Sequence, residues 1–192
     1  RARVSYTNKH FKLKDQEVTS QTKTLFKKEI KRYFSSSVLV LNTIVGPIMG
    51  TILMCILLFS GDNGLAAVGM GEASELIMPI LIGAVTFMNG LISTTSTSIS
   101  LEGKNFWIIK SAPTKSEKIY TAKIALNFVI ALPFSIINTV VIAIALKPDV
   151  TYLIPFLLIP LLVNLVMGVT GLYINLVFPR LNWTMEVKVV KQ

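Results

Sequence analysis

Four long apolar stretches divide the chain, at residues 38–59, 76–97, 122–146 and 152–178, and the charge of the segments between them alternates. Each stretch meets the requirement of about 20 mostly apolar residues for a helix crossing a hydrocarbon core of about 30 Å. Residues 1–37 carry ten Lys/Arg against three Asp/Glu, whereas residues 60–75 carry no Lys or Arg but hold Asp62, Glu72 and Glu75. Residues 98–121 are basic again, with Lys104, Lys110, Lys115 and Lys118 against Glu102 and Glu117. The tail returns to basic, with Arg180, Lys188 and Lys191 against Glu186. Short loops rich in Lys and Arg stay on the cytosolic side. One orientation satisfies every segment: N-terminus in, four crossings, C-terminus in. The expected fold is therefore an all-α integral membrane protein, with an N-terminal interfacial amphipathic helix followed by four transmembrane helices.

Composition alone would allow other classes. A chain of 192 residues with 52% hydrophobic residues and a mean hydropathy of +0.63 could be a soluble, core-rich domain. Clustering decides against it, because a soluble helix keeps one polar face, and here whole windows lack charge. The net charge of +9 resembles that of a nucleic-acid binder. The excess lies in the segments assigned to the cytosol, so it needs no nucleic-acid partner. Cys55 is the single cysteine, which excludes a disulfide framework or a Cys-based metal cluster within the chain, and His10 is the single histidine. The first residue is Arg1 and the end is polar, which is the pattern expected of a fragment of a larger protein.

Five units follow. Residues 1–21 form a polar cytosolic arm, and residues 22–37 an interfacial helix. Residues 38–178 form the four-helix transmembrane domain, with a cytosolic loop at 98–121, and residues 179–192 form a cytosolic tail. In the interfacial helix Leu25, Phe26, Ile30, Tyr33 and Phe34 fall on one face, and Lys27, Lys28, Lys31 and Arg32 on the other. Such a helix lies at the lipid surface with its cations toward phosphates; a plain basic flank enforcing topology is the alternative. Ser35 to Ser37 permit a bend into the bilayer. In the first span Pro47 removes a backbone donor, and Gly46 and Gly50 have the spacing that allows close helix approach.

The second span is expected to end in a run of hydroxyls from Ser93 to Ser98, read either as a wet cavity wall or flexible helix end, or as a plain interfacial end. In the fourth span Asn164, Gly168, Gly171 and Asn175 recur at steps of three and four, so they share one face. That face packs against another helix or lines a polar path. Lys123 near the start of the third span is expected to snorkel to the interface, which leaves no charge deep in a span for a proton relay or an ion filter.

The loop between the second and third spans carries a compact apolar knob, Phe106, Trp107, Ile108 and Ile109, between Lys104 and Lys110. Such a knob needs cover, either lipid or a cytosolic protein. Behind it, Thr114 to Glu117 has the form of a capping box, and a helix is expected from about Lys115 into the third span. Pro113 marks the boundary.

This loop, with Glu102, Gly103, Lys104, Phe106, Trp107, Ile108, Ile109, Lys110, Ser111, Pro113 and Lys123, resembles the first cytosolic loop of bacterial permeases of type-2 ATP-binding-cassette exporters. The tail from Pro179 to Thr184, with Glu186, Val190, Lys191 and Gln192, resembles the segment after a later span in the same permeases. The stretch from Leu25 to Tyr33 with Asn42, Gly46 and Pro47 is similar to their interfacial helix and first span. The resemblance runs from about Thr22 onward. It implies a permease subunit in the bacterial cell membrane, working by alternating access. The loop would be the coupling element that docks on a cassette ATPase. The implied partners are that ATPase, a second permease half or the remainder of a longer chain, and membrane lipids. No cofactor is expected on this chain, with ATP and magnesium held by the ATPase.

The residues agree that ATP is not bound here. Gly103 and Lys104 do not make a phosphate loop, because Ser98 stands where its first Gly should be and Asn105 where its Ser/Thr should be. Asn182, Trp183 and Thr184 fit a glycosylation pattern, but on the side expected to be cytosolic. Two other functions fit parts of the pattern: a non-transporting scaffold or sensor subunit, and a piece of an intramembrane protease. The second would need paired acidic or histidine residues in the spans, which this sequence lacks.

Overall fold

The computed structural model describes residues 20–60, 74–111 and 113–190. Nearly all of the expected polar arm and most of the expected external loop lie outside these residues. Helix α1 is Gln21–Ser35 and α2 is Ser37–Phe59. Helix α3 is Ser74–Gly90, and a 3-10 turn, Ser100–Asn105, leads into the short α4, Phe106–Ser111. Helix α5 is Ser116–Leu146, α6 is Val150–Val177, and α7 is the single turn Val187–Val190.

Three of these helices, α2, α5 and α6, are long and apolar enough to cross a membrane, and the described residues hold helices and no strand. The chain is thus an all-α integral membrane protein. Its outward faces carry Leu41, Leu53, Ile137, Leu162 and Val166, all exposed, as a surface solvated by lipid tails requires.

The bend between α1 and α2 falls where the serines allow it. Ser36 is extended (φ −103°, ψ 96°), and its hydroxyl accepts from the Leu39 N–H at 3.4 Å to cap α2. Helix α5 has 31 residues, about 46 Å at 1.5 Å per residue. That exceeds a hydrocarbon core by roughly 16 Å, so its first turns stand outside the core. Lys147, in the left-handed region at φ 46°, ends α5 and turns the chain into α6.

The core is stratified along the helices. At one end Met54, Leu58, Leu81, Val85, Ile142 and Phe156 bring together α2, α3, α5 and α6. At the other, Tyr33, Leu39, Leu126 and Val190 join α1, α2, α5 and α7. The Tyr33 hydroxyl lies 2.6 Å from Thr43 Oγ1; the Thr43 proton goes to the Leu39 carbonyl, so Tyr33 donates. Between these layers lies a belt of buried amides and hydroxyls.

Four expectations are corrected. The second span, expected over 76–97, is helical only to Gly90; α3 has 17 residues, about 25 Å long, short of a full crossing. Residues 91–99 continue as irregular backbone that is mostly buried, with Leu91 and Ser96 exposed. The capping box does not form: Lys115 is the N-cap with no side-chain cap bond, and the Thr114 hydroxyl is buried without a hydrogen-bond partner among the described residues. Lys123 does not snorkel; it is 1% exposed. Of the hydroxyl run, Thr94, Thr95, Thr97 and Ser98 are buried and only Ser96 is exposed, so most of it packs inside the bundle rather than lining a wet wall.

Candidate functional site

Helix α1 runs beside the protruding start of α5. The Lys118 ammonium donates to Gln21 Oε1 at 2.8 Å, and further along Lys123 meets Glu29. Glu29 is 3% exposed, so the inward face of α1 is partly acidic. Across this contact a charge cluster forms. Lys123 Nζ lies 3.0 Å from Glu29 Oε1 and 3.1 Å from Glu102 Oε1, and it also donates to the Ser98 carbonyl at 3.3 Å. Arg32 ion-pairs with both Glu29 and Glu102. Two carboxylates thus face the buried Lys123 and the partly buried Arg32, and Lys28 adds a rim contact to Glu102 at 3.3 Å.

Burial alone would raise the Glu102 pKa; the Arg32, Lys123 and Lys28 charges outweigh it and hold the carboxyl below its ordinary value. Removing one member of such a cluster leaves a buried charge uncompensated, which costs about 3–5 kcal/mol. The cluster therefore ties α1, α5 and the 3-10 turn together.

The turn presents α4. Gly103 has φ 55° and ψ −138°, and a Cβ there would stand 3.1 Å from the Trp183 indole nitrogen, so only glycine suits the position. The tail folds back onto it. The Trp183 indole N–H donates to the Ser100 carbonyl at 2.6 Å, the Arg180 N–H donates to Ser100 Oγ at 2.9 Å, and Ser36 Oγ donates to Glu186 at 2.7 Å. With its stem held so firmly, α4 still projects: Trp107 is 65% exposed and Ile108 52%. Lys110 stands over the Phe106 ring, 5.0 Å from its centroid. A pocket of about 160 Å³ separates Phe106 and Ile109 from Ile119 and Tyr120 of α5.

The amide belt lies behind the stem. Asn164 Nδ2 donates to the carbonyls of Asn89 (2.8 Å) and Ile92 (3.1 Å). Asn127 Oδ1 accepts from Thr94 N–H (2.7 Å) and hydroxyl (3.0 Å), and its Nδ2 donates to Asn164 Oδ1 at 3.0 Å. Asn175 Oδ1 accepts from the Ile99 and Ser100 N–H groups at 2.8 and 3.0 Å, and its Nδ2 donates to Ser100 Oγ at 2.8 Å. A buried peptide group left unpaired costs about 1–3 kcal/mol. These amides therefore replace the ladder that residues 91–99 lack.

The residues singled out in the sequence divide among these features. Asn164, Gly168, Gly171 and Asn175 share a packing face: a Cβ at Gly168 would meet Asn127, and one at Gly171 would meet Thr95 and Ser93. On α1, Phe26 and Ile30 are half-buried against the inner core and Tyr33 is fully buried, whereas Phe34 is exposed. Lys27 and Lys31 are exposed, but Arg32, expected on the same face, turns inward to the carboxylates. Gly50 packs on Met88, where a Cβ would come within 2.5 Å of the sulfur; Gly46 meets nothing within 4 Å. Glu29 and the pairing of Lys123 with Glu102 escaped the sequence reading. A lone acid at the centre of a basic helix was the available signal.

Long apolar helices, with a charged end from which a short aromatic helix projects, define an all-helical integral membrane domain. The model of the ABC-2 type transporter family matches residues 20–187, and the chain belongs to that family. It is a multi-pass membrane permease domain, the transmembrane rather than the catalytic component of a transporter. No curated protein and no solved structure matches the chain.

Proposed function

We propose that this chain is the permease domain of an ATP-driven exporter in a bacterial cytoplasmic membrane, with α4 as the element that docks on a separate cassette ATPase. ATP binding and hydrolysis belong to that partner, and alternating access moves the substrate between permease halves. The observation that carries the reading is the contrast at α4. Its stem is fixed by the Glu102 cluster and by Trp183, yet Trp107 and Ile108 are left bare. An aromatic anchor on a rigid support suits an interface hot spot. The bundle is placed with the α4 end in the cytosol, and Lys27 and Lys31 of α1 meet anionic headgroups there. The start of α2, one residue past α1, holds them at headgroup depth.

The test is capture of the ATPase. Trp107→Ala should weaken its binding by roughly 30-fold, since hot-spot truncation costs about 2 kcal/mol. Thermal stability should be unchanged, because the side chain is mostly solvent-facing. Lys110→Ala should weaken binding less. Undiminished capture by the Trp107 variant would leave α4 as a lipid anchor and remove the support for an ATP-coupled permease.

A further inference from the structure

The break after Gly90 separates α3 from the docking helix. Helix α3 ends there, and α4 begins only after residues 91–99 and the 3-10 turn. The intervening backbone keeps only scattered local turns, such as Ser98 N–H to the Thr95 carbonyl, and is otherwise held by other helices: Asn164 and Asn127 hold its beginning, and Asn175 holds its end. A carboxamide suits this work because it offers an acceptor and two donors without charge. A helix passes a push along its axis, but irregular backbone does not. The stem of α4 is instead fastened sideways, to α6 by Asn175 and to α5 by Lys123.

We propose that residues 91–99 are a mechanical joint, and that Asn175 is the positioning residue that makes α6, rather than α3, move with the docking helix. The proposal rests on the transport reading above. Gly171 lets the joint lie directly on α6, since a Cβ there would come within 3.1 Å of Thr95 Oγ1. The hydroxyls of Thr95 and Thr97 are buried with no hydrogen-bond partner among the described residues. They leave bonding capacity for a second arrangement of the segment. The pocket beneath α4 gives the docking helix room to tilt.

The experiment uses the full transporter with its ATPase in lipid nanodiscs, in a Cys55→Ser background. Spin-label pairs are placed at Phe87→Cys with Ser111→Cys, and at Ser111→Cys with Tyr173→Cys; Phe87 and Tyr173 are 70% and 67% exposed. Distances are read with and without ATP and vanadate. Trapping should change the Phe87–Ser111 distance by about 2–5 Å and the Ser111–Tyr173 distance by less than about 1 Å. Asn175→Ala should make the second pair shift as well. Ser100→Ala, which removes only the Oγ partner of Asn175 and Arg180, is the milder variant with the same expected direction. A constant Phe87–Ser111 distance would make α3 and α4 one rod and overturn the joint. So would a shifting Ser111–Tyr173 pair in the unmodified protein, or an unaltered one in both variants. If the ATPase binds normally, any of these results overturns the joint alone. If no ATPase is captured, the transport reading falls and the joint with it.

Discussion

Glu102→Gln tests the charge cluster most directly. In the folded protein two carboxylates balance the buried Lys123 and the partly buried Arg32, with Lys28 at the rim. The substitution leaves Lys123 and Arg32 sharing Glu29 alone. Glu102 is 8% exposed and Lys123 1% by side chain, so the lost charge is not replaced by solvent. Breaking a buried pair from one side costs about 3–5 kcal/mol, and the retained amide oxygen favours the lower end. At 2–4 °C per kcal/mol for a chain of this size, the midpoint should fall by about 6–12 °C.

Thermal unfolding in nanodiscs, followed by tryptophan emission, is the assay. Trp183 sits against Gly103 and the Ser100 carbonyl and so reports on this turn. Lys28→Met is the control, because its 45% exposed side chain makes a surface pair worth about 0–1 kcal/mol. The pH dependence has a definite sign. Glu102 titrates below its ordinary 4.5 when folded, so its contribution is fully present above pH 4.5. It is lost as pH falls through the lower, folded value. The gap between the unmodified protein and Glu102→Gln should be flat from pH 8 to pH 5 and close only in stronger acid. A midpoint loss no larger than that of Lys28→Met would refute the cluster as a structural tie.

Two further outcomes are expected. Lys27→Gln with Lys31→Gln should lower affinity for vesicles containing anionic phospholipid, and the difference should shrink as salt rises, since the Debye length is about 10 Å at 0.1 M; equal binding by both proteins would remove lipid contact from α1. In a Cys55→Ser background, Ser60→Cys should react with an impermeant thiol reagent in intact cells and Lys115→Cys only after permeabilisation, and the reverse pattern would invert the topology.

The sequence made some of this structure legible and hid the rest for physical reasons. Helices α2, α5 and α6 follow from uninterrupted apolar runs, because hydropathy registers what a bilayer solvates. The same measure misses the end of α3, since residues 91–97 remain apolar or hydroxylic while the helix stops. Asn89 and Gly90, a poor helix continuation followed by hydroxyls that compete for backbone groups, were the local clue. The packing role of Asn164 and Asn175 was one of two open readings, and their partners in the irregular segment settle their contacts. Glu29, Glu102 and Lys123 could not be joined from sequence. Glu29 and Glu102 lie 94 and 21 positions from Lys123, and no pattern in the sequence tells which helix the lone acid of α1 faces.

The return of the tail to the docking turn has a consequence for how the protein is made. Trp183 bonds to a carbonyl 83 positions earlier, and Glu186 to a hydroxyl 150 positions earlier. At roughly 5–20 residues per second, translation delivers these closing residues several seconds after α4 has left the ribosome. Until then the turn lacks its clasp, and the surface around Trp107 is without its final support. Biogenesis thus supplies an order of events: α6 must be inserted and its trailing segment released before a partner meets a finished platform. A ribosome arrested just after Val177 would leave a chain with α2, α5 and α6 but no completed dock.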